Sequence, residues 1–240
     1  VAEPQWSDKQ IQFCTAMVAY AQKPMYQRIN HGVSYANVGL QAVLLGAAWT
    51  GHVSVLMHVV LFVLAFAVAD FVNGMVHLYM DHNDHYASRV GPFIAAFHLH
   101  HDTPRYQDKP IWRVYLDESG YKIWLFFVLA LTLVVFLMGM LSPWLLCFLA
   151  YFGVLSSAAE VSHFLCHNSN APVVMALQRF WLVLPRKHHM LHHRLDNVNY
   201  AFLNGMSDPL INLFASRFCR GYRETTDLHS TLYQSTLNAD

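Results

Sequence analysis

Apolar residues fill four stretches of this chain, at residues 38–49, 53–71, 123–141 and 144–159, and polar residues gather in the segments between them. Thr50-Gly51-His52 parts the first two stretches, and Ser142-Pro143 parts the last two. A helix that crosses the hydrocarbon needs about 20 mostly apolar residues. Each pair therefore reads as a hairpin of two membrane helices with a tight turn. Segment 38–49 is short and has to begin near Tyr35 to span. The predicted fold class is all-α and integral to the membrane, with four transmembrane helices as two hairpins and a helical cap outside them.

Composition agrees with a membrane protein. The hydrophobic fraction is 55% and the charged fraction 12%, about half the charge of an average soluble domain. The formal net charge is zero, which leaves no basic footprint for nucleic acid. Cys14, Cys147, Cys166 and Cys219 form no C-x-x-C pair, so neither a disulfide framework nor a zinc ribbon is indicated. Residues 1–36 are mixed polar, with Lys9, Lys23 and Arg28, and lack the early apolar core of a signal peptide. Within them, residues 11–20 fit either an amphipathic helix on the membrane surface or a short helix packed on the rest of a single domain, 1–240.

Charge placement adds sidedness. No Lys or Arg lies between Arg28 and Arg89, or between Lys122 and Arg179. Both hairpin tips are thus free of positive charge, and the positive-inside rule puts the ends and the middle loop in the cytoplasm.

The sixteen histidines then acquire meaning. Most fall into four clusters: His77-x-x-x-Asp81, His98-x-His100-His101, His163-x-x-x-His167 and His188-His189-x-x-His192-His193. The first and third continue from the inner ends of the second and fourth spans, and the others lie in cytoplasmic segments. All four can converge on one site on the cytoplasmic side. Residues four apart on a helix share a face, so His77 with Asp81, and His163 with His167, can each clasp a metal. Adjacent His100 and His101 diverge by about 100° on a helix and suit two neighbouring metals.

The candidate ligands are His77, His100, His101, His163, His167, His189, His192 and His193, with Asp81 as a ninth. That is more than one tetrahedral zinc requires and suits two irons in an imidazole-rich shell with positions open to oxygen. Asp70, Glu160 and His188 are candidates to hold an imidazole in place or to substitute as ligands. His31, His52, His58 and His229 read as packing or surface residues, and His82, His85 and His98 are left outside the ligand set.

These motifs resemble the Kua-type lipid desaturase family, which includes plasmanylethanolamine desaturase and plastid phosphatidylglycerol desaturase. The resemblance runs from about residue 70 to 214. It rests on Asp70-Phe-Val-Asn-Gly74-Met-Val-His77-x-x-x-Asp81, Phe97-x-x-His100-His101, His163-x-x-x-His167, Leu184-Pro-Arg-Lys-His188-His189-x-x-His192-His193, and Pro209-Leu210. The resemblance implies a membrane di-iron oxidoreductase that desaturates a phospholipid-linked alkyl or acyl chain. It further implies O2 as co-substrate and an external electron donor of ferredoxin or cytochrome b5 type as redox partner. The expected location is a bacterial inner membrane, or an endoplasmic reticulum or plastid membrane. Two positions depart from the family pattern. Glu160 stands where Asn is common, and Arg105-Tyr-Gln-Asp-Lys-Pro110-Ile-Trp112 replaces an Arg-His-Asp-Phe stretch.

Three other classes share part of this pattern. A di-iron lipid hydroxylase shares the ligands and differs in where the oxygen ends up. A haem protein needs histidines facing each other within the spans. A metal transporter needs ligands near the midplane, where these spans are nearly free of them.

Overall fold

The computed structural model describes residues 5–102 and 109–237. Among the described residues there are helices and no strands. The departing stretch after the double histidine lies partly outside them, at residues 105–108.

The N-terminal helix α1 (Asp8–Gln22) opens with a capping box, in which the Ser7 side chain accepts from the Gln10 backbone and Gln10 reaches back. It buries Phe13, Ala16 and Met17 against Tyr86 and against Ile94 and Ala95 of α4 (Gly91–Asp102). Of the two readings of residues 11–20, the structure realises the packed helix.

Helices α2 (Pro24–Thr50) and α3 (Val55–Asp81) follow, broken where Thr50-Gly51-His52 predicted. Next come α5 (Ile111–Ser119), α6 (Ile123–Leu137) and α7 (Pro143–Asn168). Ser54 and Ser142 cap the starts of α3 and α7 through their side chains. An added Cβ on Gly51 would lie 3.9 Å from the Pro143 side chain, so the α2–α3 turn sits beside the start of α7. From that shared end α3 and α7 run in parallel, and at the far end the rings of His77 and His163 come within 6.4 Å. Leu44, Ala65, Ala69, Leu125, Leu129, Cys147 and Ala150 fill the core between them.

Among the described residues two helices are long and apolar enough to cross a membrane, α3 and α7; a third candidate is α5 with α6 as one span bent by 82°. The expected four spans thus reduce to two or three on these criteria. The reason is chemical for α2 and geometric for α6. Helix α2 has the length, but Asn30, Ser34, Asn37 and Gln41 form a buried polar stripe along one face. Helix α6 has 15 residues, about 22 Å, short of the ~30 Å hydrocarbon core.

The polar stripe has partners. Ser34 Oγ donates to the Leu116 carbonyl, and Asn37 Nδ2 donates to the carbonyls of Ser119 (2.8 Å) and Lys122 (3.2 Å). Gln41 receives the Tyr115 hydroxyl and donates to Ser157 Oγ at 2.8 Å. The Leu116 and Ser119 carbonyls belong to the last turn of α5, where a helix leaves its carbonyls without intrahelical partners, and Lys122 caps the start of α6. The stripe on α2 therefore stabilises the bend.

Behind the site, Asp70 on α3 is fully buried and accepts from the backbone N–H groups of Leu203, Asn204, Gly205 and Ser207, and from the Ser207 hydroxyl, at 2.6–3.2 Å. This corrects the expectation that Asp70 holds an imidazole: its carboxylate is occupied in organising the loop before α10 (Asp208–Phe218). Gly74 lets that loop approach, because an added Cβ would lie 2.5 Å from Ile211 Cδ1 and 3.0 Å from Ala201 Cα. Asp70→Asn turns one acceptor oxygen into a donor facing other donors. It should cost about 3 kcal/mol of stability, read as a lowered denaturation midpoint in detergent. An unchanged midpoint would rule out this role.

Candidate metal centre

Four elements deliver the candidate ligands. Helix α3 supplies His77 and Asp81, α4 supplies His100 and His101, and α7 supplies His163 and His167. The short helix α9 (Arg186–His192) supplies His189 and His192, with His193 as its C-cap. The eight histidines assemble into two groups, His77, His100, His101 and His192 in one and His163, His167, His189 and His193 in the other; within each group the ligand atoms lie within 4.8 Å of one another. The groups adjoin, with His100 5.6 Å by ring centroid from both His163 and His193.

In the first group the hydrogen bonds fix the tautomers. His77 Nδ1 lies 2.8 Å from the Tyr200 carbonyl, His100 Nδ1 2.8 Å from Phe97 O, and His192 Nδ1 3.0 Å from Val198 O. His101 Nδ1 lies 2.8 Å from Asp227 Oδ1. Carbonyl and carboxylate oxygens only accept, so each Nδ1 carries the proton and each Nε2 presents a lone pair. The lone pairs of His77, His101 and His192 point inward, at Asp81. Its oxygens lie 3.5 Å from His77 Nε2, 3.5 Å from His101 Nε2 and 3.4 Å from His192 Nε2. Neither Asp81 oxygen has a hydrogen-bond partner, nor do His77 Nε2 and His100 Nε2, and all are buried. Buried acceptors facing one another without a donor are costly. A metal cation satisfies all of them together.

The second group is equally tight. His163 Nε2 lies 2.9 Å from His189 Nε2 and 3.2 Å from His167 Nε2, and His193 Nε2 lies 3.1 Å from His189 Nε2. Imidazole nitrogens bound about 2.0–2.1 Å from one metal stand about 2.8–3.0 Å apart at right angles and about 3.3–3.4 Å apart at the tetrahedral angle. The observed spacings fall in that range. The donor sets in both groups fit metal ions.

Burial drives the imidazoles of the cap toward their neutral form, the one that binds metal. It holds His100, His101 and His189 well below the ordinary histidine value, each further depressed by neighbouring histidines. His192 falls to about 3 and His193 to about 4, again mainly through burial.

The other histidines are occupied elsewhere. His98 donates from Nε2 to the Met80 carbonyl at 2.7 Å and accepts from the Tyr86 hydroxyl on Nδ1 at 2.8 Å, which uses both ring nitrogens. His58 pairs with the Tyr151 hydroxyl at 2.8 Å and stacks on Trp49, and His229 joins the Tyr86 hydroxyl at 3.1 Å. His85 is exposed. His82 Nδ1 bonds its own helix at Leu78 O, and its ring packs against Tyr200 and Tyr222.

Two further expectations change. His188 does not join the metal groups: its Nε2 lies 2.6 Å from Asp208 Oδ2, while Asp208 Oδ1 accepts from Ala201 N at 2.8 Å. Glu160 binds Lys122 at 2.8 Å rather than an imidazole, and Lys122 also donates to Asn73 and stands 4.9 Å over the Phe202 ring. Both corrections have one cause. Side chains on the cluster helices that point off the ligand face are taken by the nearest charge. Lys122 is buried, so it contributes no positive surface of the kind the charge rule counts.

A family model described as a lipid desaturase domain matches residues 66–220, a span that takes in all eight clustered histidines and Asp81. The chain belongs to this family. No curated protein and no solved structure matches it. The lipid desaturase domain thus begins within α3 and closes just after α10, and the resemblance drawn from about 70 to 214 lies inside it. Sequence reasoning missed the partners of the imidazoles. Tyr200 and Val198 act through backbone carbonyls, which no side-chain pattern signals.

Two outcomes follow. His192→Ala and His193→Ala each remove a ligand from a different group, so each should retain about one metal equivalent of the two bound by the parent, measured by elemental analysis; equal retention of both would break the assignment. The chelator-stripped protein should also respond to pH. The unfolded chain takes up protons on histidine below pH ~6.5, whereas the buried cage stays neutral until about 3 to 4. Stability is therefore fully present above that unfolded value and lost as pH falls through the window. Denaturation midpoints at pH 7 and pH 5 should fall in that order, and a rise on acidification would contradict the buried neutral cage.

Proposed function

We propose that this chain is an O2-dependent lipid desaturase that holds two irons in the paired histidine groups and introduces a double bond into a phospholipid-linked alkyl or acyl chain. The observation that carries the reading is the convergence of Nε2 lone pairs on the unpartnered Asp81 carboxylate, within a chain of the lipid desaturase family. Eight imidazoles in two adjoining groups favour iron over a single structural zinc. When bound, the iron pair supplies the oxidising power to abstract hydrogen from unactivated methylenes.

The balance is R–CH2–CH2–R′ + O2 + 2 e⁻ + 2 H⁺ → R–CH=CH–R′ + 2 H2O. The substrate gives two of the four electrons that reduce oxygen. The other two come from an external donor of ferredoxin or cytochrome b5 type.

The protein's part is to orient the chain. An apolar groove of about 680 Å³ runs along α7 and is lined by Phe66, Trp112, Tyr115, Leu155, Ala158 and Leu203. Ser162, which also lines it, adjoins His163, and Leu203 adjoins Phe202. The Phe202 ring lies 5.5 Å from the His77 ring and 5.6 Å from the His163 ring. A hydrocarbon chain in this groove lies one side chain away from both metal groups. Phe202 and the buried core around it shield that approach from water.

On this reading α2 and α6 complete four membrane segments with α3 and α7. The metal centre faces the cytoplasm in the orientation set by the positive-inside rule.

Comparative lipid mass spectrometry of cells with and without the protein tests the proposal. The parent should shift one lipid class by the loss of two hydrogens, and His193→Ala should abolish the shift. Ala158→Trp, which fills the groove, should lower turnover about tenfold or more with metal content unchanged. A gain of one oxygen in place of the loss of hydrogen would make the protein a hydroxylase.

A further inference from the structure

The matched family region ends at residue 220, yet the site does not. The segment 222–230 closes over the first metal group. The Tyr222 hydroxyl donates to the His192 carbonyl at 2.5 Å, and its ring lies 5.0 Å from that of His101. Thr226 Oγ1 donates to the Asp81 carbonyl at 2.5 Å. Asp227, in the short 3-10 turn Thr226–Ser230, places Oδ1 2.8 Å from His101 Nδ1. We infer that Asp227 is a positioning residue that fixes His101 as a ligand and raises its donor strength toward the metal of the first group.

His77, His100 and His192 each direct their Nδ1 protons to a backbone carbonyl. His101 gives its proton to a full carboxylate. That carboxylate pulls the Nδ1 proton and makes Nε2 a stronger donor, the arrangement in which outer carboxylates hold metal-bound imidazoles. His101 needs such help more than the others. It follows His100 directly, near the end of α4, and both rings must present a nitrogen to the same group, with the Nε2 of His101 facing Asp81 and His192. Asp227 and Asp81 lie on opposite sides of the same ring, at Nδ1 and Nε2. Together they place two carboxylates beside one metal group and favour its more highly charged state.

The turn is itself held. Asp227 N donates to the Tyr222 carbonyl at 3.0 Å. Gln10 Nε2 on α1 donates to Leu228 O at 3.2 Å and Thr231 Oγ1 at 2.7 Å. The N-terminal helix, also outside the matched region, thus buttresses the turn that reaches the metal centre.

The inference rests on the reading that the first group holds a metal, and the experiment separates the two. The full-length chain in detergent is stripped and titrated with Co2+, with absorption in the visible region reporting ligand geometry. The parent, Asp227→Asn, Asp227→Glu and Asp84→Asn are compared; Asp84 pairs with Lys9 near the same edge and serves as the charge control. Asp227→Asn should bind one of two equivalents about 10–100-fold more weakly with an altered visible band, Asp227→Glu should recover part of the loss, and Asp84→Asn should match the parent. Two equivalents bound with parental affinity and spectrum in Asp227→Asn would overturn the role of Asp227, as would an equal loss in Asp84→Asn. If Asp227→Asn does not fold, Asp227→Glu decides: an unshifted affinity and band for the longer carboxylate would remove the positioning role. A parent that binds no Co2+ would instead refute the metal reading itself.

Discussion

Four imidazoles with their protons committed outward, and a carboxylate with no donor of its own, meet in a space a few ångströms across. Everything else in the lower half of the molecule follows from keeping those acceptors together. An unpaired buried polar group costs on the order of 1–3 kcal/mol, and here several are stacked in one place. A fold with that arrangement is stabilised by a cation and strained without one. Metal binding and the packing of α3, α4, α7 and α9 are therefore parts of a single equilibrium.

The loop between α9 and α10 is the part of the chain that makes the arrangement specific. It delivers the Val198 and Tyr200 carbonyls to His192 and His77. Its apolar side chains Tyr200, Ala201, Phe202 and Leu203 are buried in the core. Its backbone is fixed by two buried carboxylates, Asp70 taking the N–H groups of residues 203–205 and 207 and Asp208 bridging Ala201 to His188. Gly74 removes the one side chain on α3 that would keep the loop away. Asp70, Gly74 and His188 thus matter to the imidazoles without touching the metal groups, because each sets the position of a carbonyl that does.

This explains what could be read in the sequence and what could not. The eight histidines were legible because spacing on a helix determines which side chains share a face, and the apolar runs determine where those helices end. The two helix breaks were legible from Thr50-Gly51-His52 and Ser142-Pro143. The partners of the histidines were not. A backbone carbonyl such as Tyr200 O leaves no trace in residue type, and Asp227 lies 126 residues from His101. The candidate roles of Asp70, Glu160 and His188 failed for a related reason. Sequence distance places a carboxylate near an imidazole but does not say which donor it meets first. The membrane count was blurred by α2, whose buried amides look like a break in an apolar run and prove to be the support for a bend.

That bend links the membrane to the chemistry. Helices α3 and α7 start side by side, and counting about 20 residues of hydrocarbon-spanning helix from Val55 and from Pro143 ends at nearly the same depth, just before His77 and His163. On the proposed reading the histidine groups then lie at the edge of the hydrocarbon rather than within it, where a buried polar cluster is less costly. Helix α6 packs against α7 and α2, but α5 turns away by 82° and sets Ile111, Trp112 and Tyr115 along the groove beside Ser162. A straight α5–α6 rod would carry those residues away from the groove. Ser34 and Asn37 of α2 hold the turn by taking the Leu116 and Ser119 carbonyls that a continuous helix would have used. On the proposed reading, a lipid chain leaves the bilayer along α7 under α5 and meets the metal centre from below, so the polar stripe that weakens α2 as a membrane span is what gives the substrate its path.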